Sequence, residues 1–347
     1  MNTTRDLKAA LKAGIARAEL MRLTRRSRAE ARAGLAALGR ARGGLNPKFA
    51  ANAQAYARDV LGSEHHAEWL QLYAECQRVF REGWFPETYY HEKVRPRING
   101  LYHRMAEFRA ANTRLLGTEW VPDAAFVVNG RMMRPDGTTM RAAELREIAE
   151  RFVFKPDHSA FGKGIRFLEV RELDGLDLGA LGNGVLQPLI RPHESFAEFG
   201  TRALATLRIG TVLQTDGTPE VRTAYLKLGR ARETHVVAAS QVRVPVDWAT
   251  GSLSTEGFLA DWRPMTAHPD TGRAFEGHRL ENIAACTGAV LAMHRKVPFA
   301  RYLCWDVVVD ASGAVQLLEW EGGVVSFAEA TQGPCFADLG WEASADG

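Results

Sequence analysis

Three carboxylates near the C-terminal end of the chain raise the first chemical question. Asp306 lies inside the apolar run Leu303-Cys304-Trp305-Asp306-Val307-Val308-Val309, and Glu319 and Glu321 alternate along the next apolar stretch. Successive strand side chains point to opposite faces, so Glu319 and Glu321 share one. Carboxylates gathered in an apolar setting cost free energy unless a cation neutralises them. Mg2+ suits such a set, because it takes a few carboxylate oxygens and leaves its other positions to water and phosphates. The alternative is a surface hairpin whose acids are solvated.

A second stretch, Lys155-Pro156-Asp157-His158-Ser159-Ala160-Phe161-Gly162-Lys163-Gly164-Ile165, puts a lysine at a strand end before a small-residue loop. The glycines let backbone N–H groups turn toward phosphate oxygens, and Lys155 and Lys163 add point charge. The loop has neither a GxxxxGK[ST] pattern nor a third glycine opening a helix, so an ordinary turn stays open as a reading. A third stretch runs from Val185 through Gln187, Pro188 and Leu189 to Pro192 and Glu194. Such a strip can pair its backbone with an adenine edge and set its carboxylate on ribose hydroxyls, or simply be a strand entering a turn.

Arg208, Lys227 and Arg230 are cations able to anchor an anionic group, and His268 in His268-Pro269-Asp270-Thr271-Gly272 is a candidate base, substrate contact or turn former. The pair His65-His66 lacks a third ligand in sequence, which argues against a metal there. His235 belongs to a basic loop that faces either substrate or solvent.

These residues need elements to hold them. Apolar spacings of three to four predict helices in the first third, interrupted at Gly34, Gly39 and Gly43-Gly44, resuming after Asn46-Pro47, then from Glu64 to about Glu82 and from about Ile98 to Asn112. Beyond residue 120 the period shortens. Strands are expected at 125–131, 152–155, 164–170, 184–190, 206–214, 220–228, 241–246, 301–309 and 315–320, with helices at 142–151 and 276–295. A helical front and a strand-rich back give an α+β class. The expected organisation is a helical region at 1–95 and two lobes at 96–190 and 191–347.

Composition sets outer bounds. With 46% hydrophobic and 24% charged residues the chain has material for a core, and it holds no apolar run long enough to span a membrane. Cys76, Cys286, Cys304 and Cys335 form no CxxC pair, which disfavours a zinc or disulfide framework. The opening residues lack the apolar stretch of a secretory signal, and a cytoplasmic protein is expected. Residues 1–44 hold eleven Lys or Arg against three acids, a basic arm on a mildly acidic body. It can touch a partner or an anionic surface, or pack on its own body; without interleaved aromatics, nucleic acid is not expected.

The order lysine, glycine loop, Gln187 strip, Arg208, Asp306 and Glu319-x-Glu321 resembles an ATP-grasp enzyme over about residues 95–340. Thr206-Leu207-Arg208-Ile209, Val246-Asp247-Trp248-Ala249-Thr250-Gly251, His268-Pro269-Asp270-Thr271-Gly272 and Trp305-Asp306 with Glu319 resemble its sugar-transfer-associated branch, related to α-L-glutamate ligases. The resemblance implies an ATP-grasp fold of two α+β subdomains gripping ATP. Lys155 would contact the α- and β-phosphates, and the loop Ser159–Gly164, with Gly162, Lys163 and Gly164, would close over them. Gln187 and Leu189 would hold adenine through backbone groups, with Glu194 on the ribose. Asp306, Glu319 and Glu321 would bind two Mg2+, and Arg208 would stabilise the transferring phosphoryl group.

Three positions depart from the family pattern. Gln187 replaces a common acid, Glu321 a frequent Asn, and Cys304 an arginine two residues before the metal-binding Asp. Arg208, Lys227 or Arg230 must then supply that charge. The implied activity is ATP-dependent joining of a carboxylate to an amine through an acyl phosphate, attaching an amino acid or small peptide to a metabolite or saccharide. A small-molecule kinase and a non-catalytic nucleotide-binding scaffold are the alternatives.

Overall fold

The computed structural model describes residues 3–159 and 164–341, and the chain divides into two compact units. One comprises Met1–Gly100, Asp261–Pro264 and Val324–Gly347; the other comprises Leu101–Ala260 and Met265–Gly323. The α+β class and the helical N-terminal region expected from sequence are both present.

The first unit is built on helices Thr3–Arg42, Pro47–Asp59, Ala67–Gln77 and Ser326–Gln332. The long first helix runs through Gly34 and Gly39, where breaks were expected, and stops before Gly43-Gly44. Gly34 is a packing position: a Cβ there would lie 2.6 Å from Cδ1 of Trp262. The buried Trp262 meets Trp69 edge-on at 5.9 Å and Phe327 at 5.9 Å. Trp69 donates its indole N–H to Ser27 Oγ at 2.8 Å, so its buried polar atom is satisfied. The helix expected to reach Glu82 ends instead at Gln77, because Arg78 turns left-handed with φ 59°. Asn46 caps its helix as its position before Pro47 suggests, Oδ1 accepting from Lys48 N at 3.0 Å.

The second unit carries two antiparallel sheets. In the first, β1 (Ala125–Val128), β2 (Arg131–Met133), β3 (Arg151–Pro156), β4 (Arg166–Glu169) and β5 (Gly184–Pro188) take the order β2-β1-β5-β3-β4. In the second, β6 (Thr206–Leu213), β7 (Pro219–Leu228), β8 (Val242–Pro245), β9 (Gly257–Leu259), β10 (Pro264–Met265), β11 (Tyr302–Val309) and β12 (Val315–Glu321) take the order β10-β9-β8-β7-β6-β11-β12. The helix Ile283–Arg295 sets Cys286, Val290 and Met293 into one core with Leu207, Ile209, Leu226, Leu303 and Trp305. Trp305 stacks on Trp320 with ring centroids 5.6 Å apart.

The helix expected at 98–112 is broken. Arg95–Ile98 is one short helix, Tyr102–Glu107 is 3-10, and a new helix Arg109–Leu116 starts after Phe108 leaves helical geometry. The segment expected as a helix at 142–151 is a 3-10 turn, Ala142–Glu147, and Arg151 already opens β3.

Two glycines of the first helix should respond oppositely to alanine. At Gly14, where a Cβ meets nothing within 4 Å, the gain in helix propensity should stabilise by up to about 1 kcal/mol. At Gly34 the clash with Trp262 should destabilise by about 1–3 kcal/mol despite the same propensity gain. Urea midpoints of the two variants would check the sign at each position.

Candidate functional site

Period-2 alternation decides what faces the cleft of the second unit. On β3, Phe152 and Phe154 enter the core of the first sheet, while Val153 and Lys155 line the cleft. On β4 and β5, Leu168 and Leu186 go to that core, and Phe167 and Gln187 to the cleft. The second sheet behaves likewise: Leu207, Leu226 and Trp305 are core, and their neighbours Thr206, Lys227 and Asp306 line a cleft of about 340 Å³.

Arg208 lies directly across from Asp306, and Asp306 from Glu319, in paired registers of β6, β11 and β12. The Arg208 fork grips Asp306, Nε to Oδ1 at 2.6 Å and Nη2 to Oδ2 at 2.8 Å. Its Nη1 donates to Glu321 Oε1, and Nη2 lies 3.7 Å from Glu319 Oε1. Lys227 Nζ reaches Asp306 Oδ2 at 2.5 Å. Asp306 is 3% exposed in its side chain and Arg208 9%, so each needs the other. Burial pushes the Asp306 carboxyl up, but Arg208 and Lys227 win and hold it well below the usual carboxylate range. Two of the three cations expected to supply charge in place of an arginine at Cys304, Arg208 and Lys227, lie against Asp306. Cys304 itself is a buried thiol, donating toward Tyr302 Oη at 3.4 Å.

A register slip between Asp306 and Val307 leaves Leu318 as a bulge on β12. Leu318 turns toward the cleft, and its carbonyl accepts from Lys155 Nζ at 3.0 Å. Burial lowers the Lys155 ammonium to about 8, helped by the charge of Arg109 and opposed by Glu319, Asp123 and Asp306.

Arg109, which the sequence reading did not single out, opens the helix Arg109–Leu116 and lines the cleft. It donates to Pro156 O at 3.0 Å and lies 3.6 Å from Glu319 Oε2. Its backbone N–H donates to Asp157 Oδ1 at 2.8 Å. The signal that could have exposed it was the break after Phe108, hidden by continuous helical spacing. Asp123 was also missed. It accepts from Gln187 Nε2 at 2.8 Å and from Thr113, and burial pushes its carboxyl up against those donors.

The structure therefore brings together Lys155, Gln187, Leu189, Lys227, Asp306 and Glu319 around one cleft, with Arg208 and Glu321 bonded into the same cluster. Ser159 is half-buried beside Arg109 and donates to Pro156 O at 2.7 Å, and Gly164 adopts φ +75°. Gly162 and Lys163 lie outside the described residues. The structure does not bring the others to the cleft. Glu194 is exposed at the start of the single turn Glu194–Ala197. Arg230 is paired with Asp270, Nε to Oδ2 at 2.8 Å. His268 is buried, with Nε2 against Gly229 O at 3.0 Å and Nδ1 accepting from Asp270 N at 3.3 Å. Nδ1 serves the turn and Nε2 ties it to Gly229 beyond β7, so no proton-accepting atom remains for a substrate. Leu189 N–H donates to Arg151 O at 3.0 Å and is not available to an adenine edge. The cleft is also lined by Ile190, its neighbour, and by Thr234-His235-Val236 from the loop after β7.

The donor set fits a hard cation unevenly. Glu319 and Glu321 keep 41% and 42% of their side-chain surface exposed, with oxygens in reach of solvent. Asp306 Oδ2 accepts from both Arg208 and Lys227, whereas Oδ1 accepts from Arg208 Nε, so Oδ1 is the oxygen with room for a metal.

The resemblance read from the sequence is borne out by comparison with protein families: residues 178–327 match the model described as sugar-transfer associated ATP-grasp. No curated protein matches the sequence. Among solved structures, the chain is similar to the D-cycloserine synthetase DcsG, at 14% identity over 84% of this chain and 81% of that one, with a TM-score of 0.40. It is also similar to the biotin carboxylase of Campylobacter jejuni, at 9% identity over 70% of this chain and 46% of that one, with a TM-score of 0.43. The ATP-grasp ligase PsnB gives 12% identity, 71% and 62% coverage and a TM-score of 0.39. The chain spans about half the length of the first structures it matches.

Replacing Arg208 by Met should destabilise the fold by about 3–5 kcal/mol, because Asp306 is left buried with one partner. The sign with pH follows from the depressed carboxyl: its stabilisation is present above the unfolded value near 4 and is lost as pH falls below it. Denaturation of wild type between pH 7 and 3 should therefore show a loss below about pH 4 that Arg208→Met largely lacks.

Proposed function

Taking residues 178–327 as a sugar-transfer associated ATP-grasp segment, we propose that this protein is an ATP-dependent carboxylate–amine ligase. The observation that carries the reading is the convergence of Lys155, Lys227, Asp306 and Glu319 on one cleft whose other wall is apolar, with Val153, Ile165, Phe167 and Ile190. An apolar slot beside a cluster of opposite charges suits a nucleotide, its base in the slot and its phosphates at the charges. Pro188 and Ile190 would offer the backbone edge to adenine, since Leu189 N–H is engaged. Lys155 and Arg109 would hold phosphate oxygens, and Arg208 with Lys227 would stabilise the transferring group.

Magnesium, when bound, would neutralise phosphoryl charge, and Glu319, Glu321 and Asp306 Oδ1 would hold it. The γ-phosphoryl group passes to a carboxylate oxygen and ADP leaves. An amine then attacks the acyl carbon, phosphate departs, and the amine loses a proton as the amide forms. The residues near Lys227, among them Thr234 and His235, would face the carboxylate and the amine. An amino acid or small peptide joined to a metabolite or saccharide is the substrate class assigned. The cytoplasm, where ATP is abundant and cysteine thiols stay reduced, is the compartment we assign.

A screen of amino acids against candidate amine acceptors with Mg2+ should give substrate-dependent ADP release. Glu319→Gln should lower it at least a hundredfold, and hydroxylamine should trap a hydroxamate. ADP release without hydroxamate would point to phosphorylation of a hydroxyl, and silence of wild type and variant alike across the panel would sink the ligase.

Lys155 sets the pH dependence of nucleotide binding. Its ammonium loses its proton near pH 8 in the free protein, so phosphate binding above that pH must draw a proton in. Nucleotide affinity should fall by up to about tenfold per pH unit above 8, and Lys155→Met should flatten the profile. Equal slopes for both proteins by calorimetry would remove Lys155 from the phosphate site.

A further inference from the structure

The helical unit holds a second polar cluster, built from residues that the cleft does not use. His65 and His66 close a 3-10 turn, Glu64–His66, and Glu92 lies on the π-helical turn Tyr90–Val94. The third ligand missing from the local sequence is thus supplied by the fold. One ligand atom from each of His65, His66 and Glu92 lies within 4.8 Å of the other two. We propose that these three side chains form a binding site for a divalent transition metal of the zinc class.

The partners around the three side chains carry the inference. His65 Nδ1 is 2.6 Å from Ser63 Oγ, and its Nε2 is 2.9 Å from Glu92 Oε2. His66 Nδ1 is 2.7 Å from Thr88 Oγ1, which leaves Nε2 with no hydrogen bond among the described residues. Glu92 accepts at Oε1 from Thr24 Oγ1 at 2.6 Å. Each side chain therefore has one polar atom fixed by a hydroxyl and another left toward the cluster. Outer partners of this kind set the tautomer and orientation of metal-binding imidazoles. Two imidazoles and a carboxylate are a donor set that suits zinc, cobalt or iron, not magnesium.

The site is reachable and its surroundings tolerate a cation. His65 keeps 29% and Glu92 16% of their side-chain surface exposed, whereas His66 is buried behind them. Arg28 is taken up by Glu68 at 2.7 Å, and Lys93 is exposed. The imidazole rings lie 3.9 Å apart, so only a modest shift of side chains is needed to bring their nitrogens to one ion. A fourth position would be left for water.

The test uses the full-length protein, stripped by chelator and free of nucleotide, titrated with Zn2+ and Co2+. Wild type should bind one equivalent that His66→Gln and Glu92→Gln weaken at least tenfold, while the exposed His158→Gln binds as wild type does. Zn2+ should raise the melting temperature of wild type by several degrees and leave that of Glu92→Gln unmoved. His65→Asn, half-exposed, serves if His66→Gln does not fold. No uptake by wild type, or uptake removed only by Glu319→Gln, overturns the site and reduces the cluster to a hydrogen-bonded contact.

Discussion

A carboxylate kept ionised inside a sheet is the constraint from which the rest follows. Asp306 sits among Trp305, Val307 and Val308, where an unpaired charge would cost several kcal/mol. Arg208 must then stand opposite it on β6, and Lys227 must reach it from β7. Those two cations leave Glu319 and Glu321 less fully neutralised, and so more available to an incoming ion. The cluster is a set of competing partners held by charges of both signs.

The same constraint explains how far the sequence could be read. The strands at 301–309 and 315–320 were legible as short runs rich in β-branched and aromatic residues flanking the turn Asp310-Ala311-Ser312-Gly313. The ends of β3, β5, β6, β7, β11 and β12 fall within two residues of expectation. Helix boundaries were less legible. Gly34 looks like a breaker in sequence, yet tertiary packing against Trp262 requires a missing side chain there. Arg78 ends its helix with a left-handed residue that no glycine announces.

Within the site, what local spacing encodes was visible and what pairing encodes was not. The alternation of Glu319 with Glu321 is local, whereas the partnership of Arg208 with Asp306 spans 98 positions. Arg109 and Asp123 were invisible because their neighbours in the chain resemble any helix end or loop. Arg230 and His268 misled for the opposite reason. Both are chemically capable, but Asp270 and the Gly229 carbonyl already occupy them, and the His268–Gly272 segment is a turn held by its own hydrogen bonds.

The interleaved assignment of the chain to its units bears on synthesis. The helical unit draws on Asp261–Pro264 and on residues after Val324 as well as on the N-terminal helices, with Phe327 and Trp341 buried in it. A ribosome delivers those two aromatics only after the whole of the sheet-bearing unit. The sheet-bearing unit is complete in sequence at Gly323, so it can close on the nascent chain while the helices that emerged earlier still wait for their final layer. Order of emergence and order of completion are reversed in this protein.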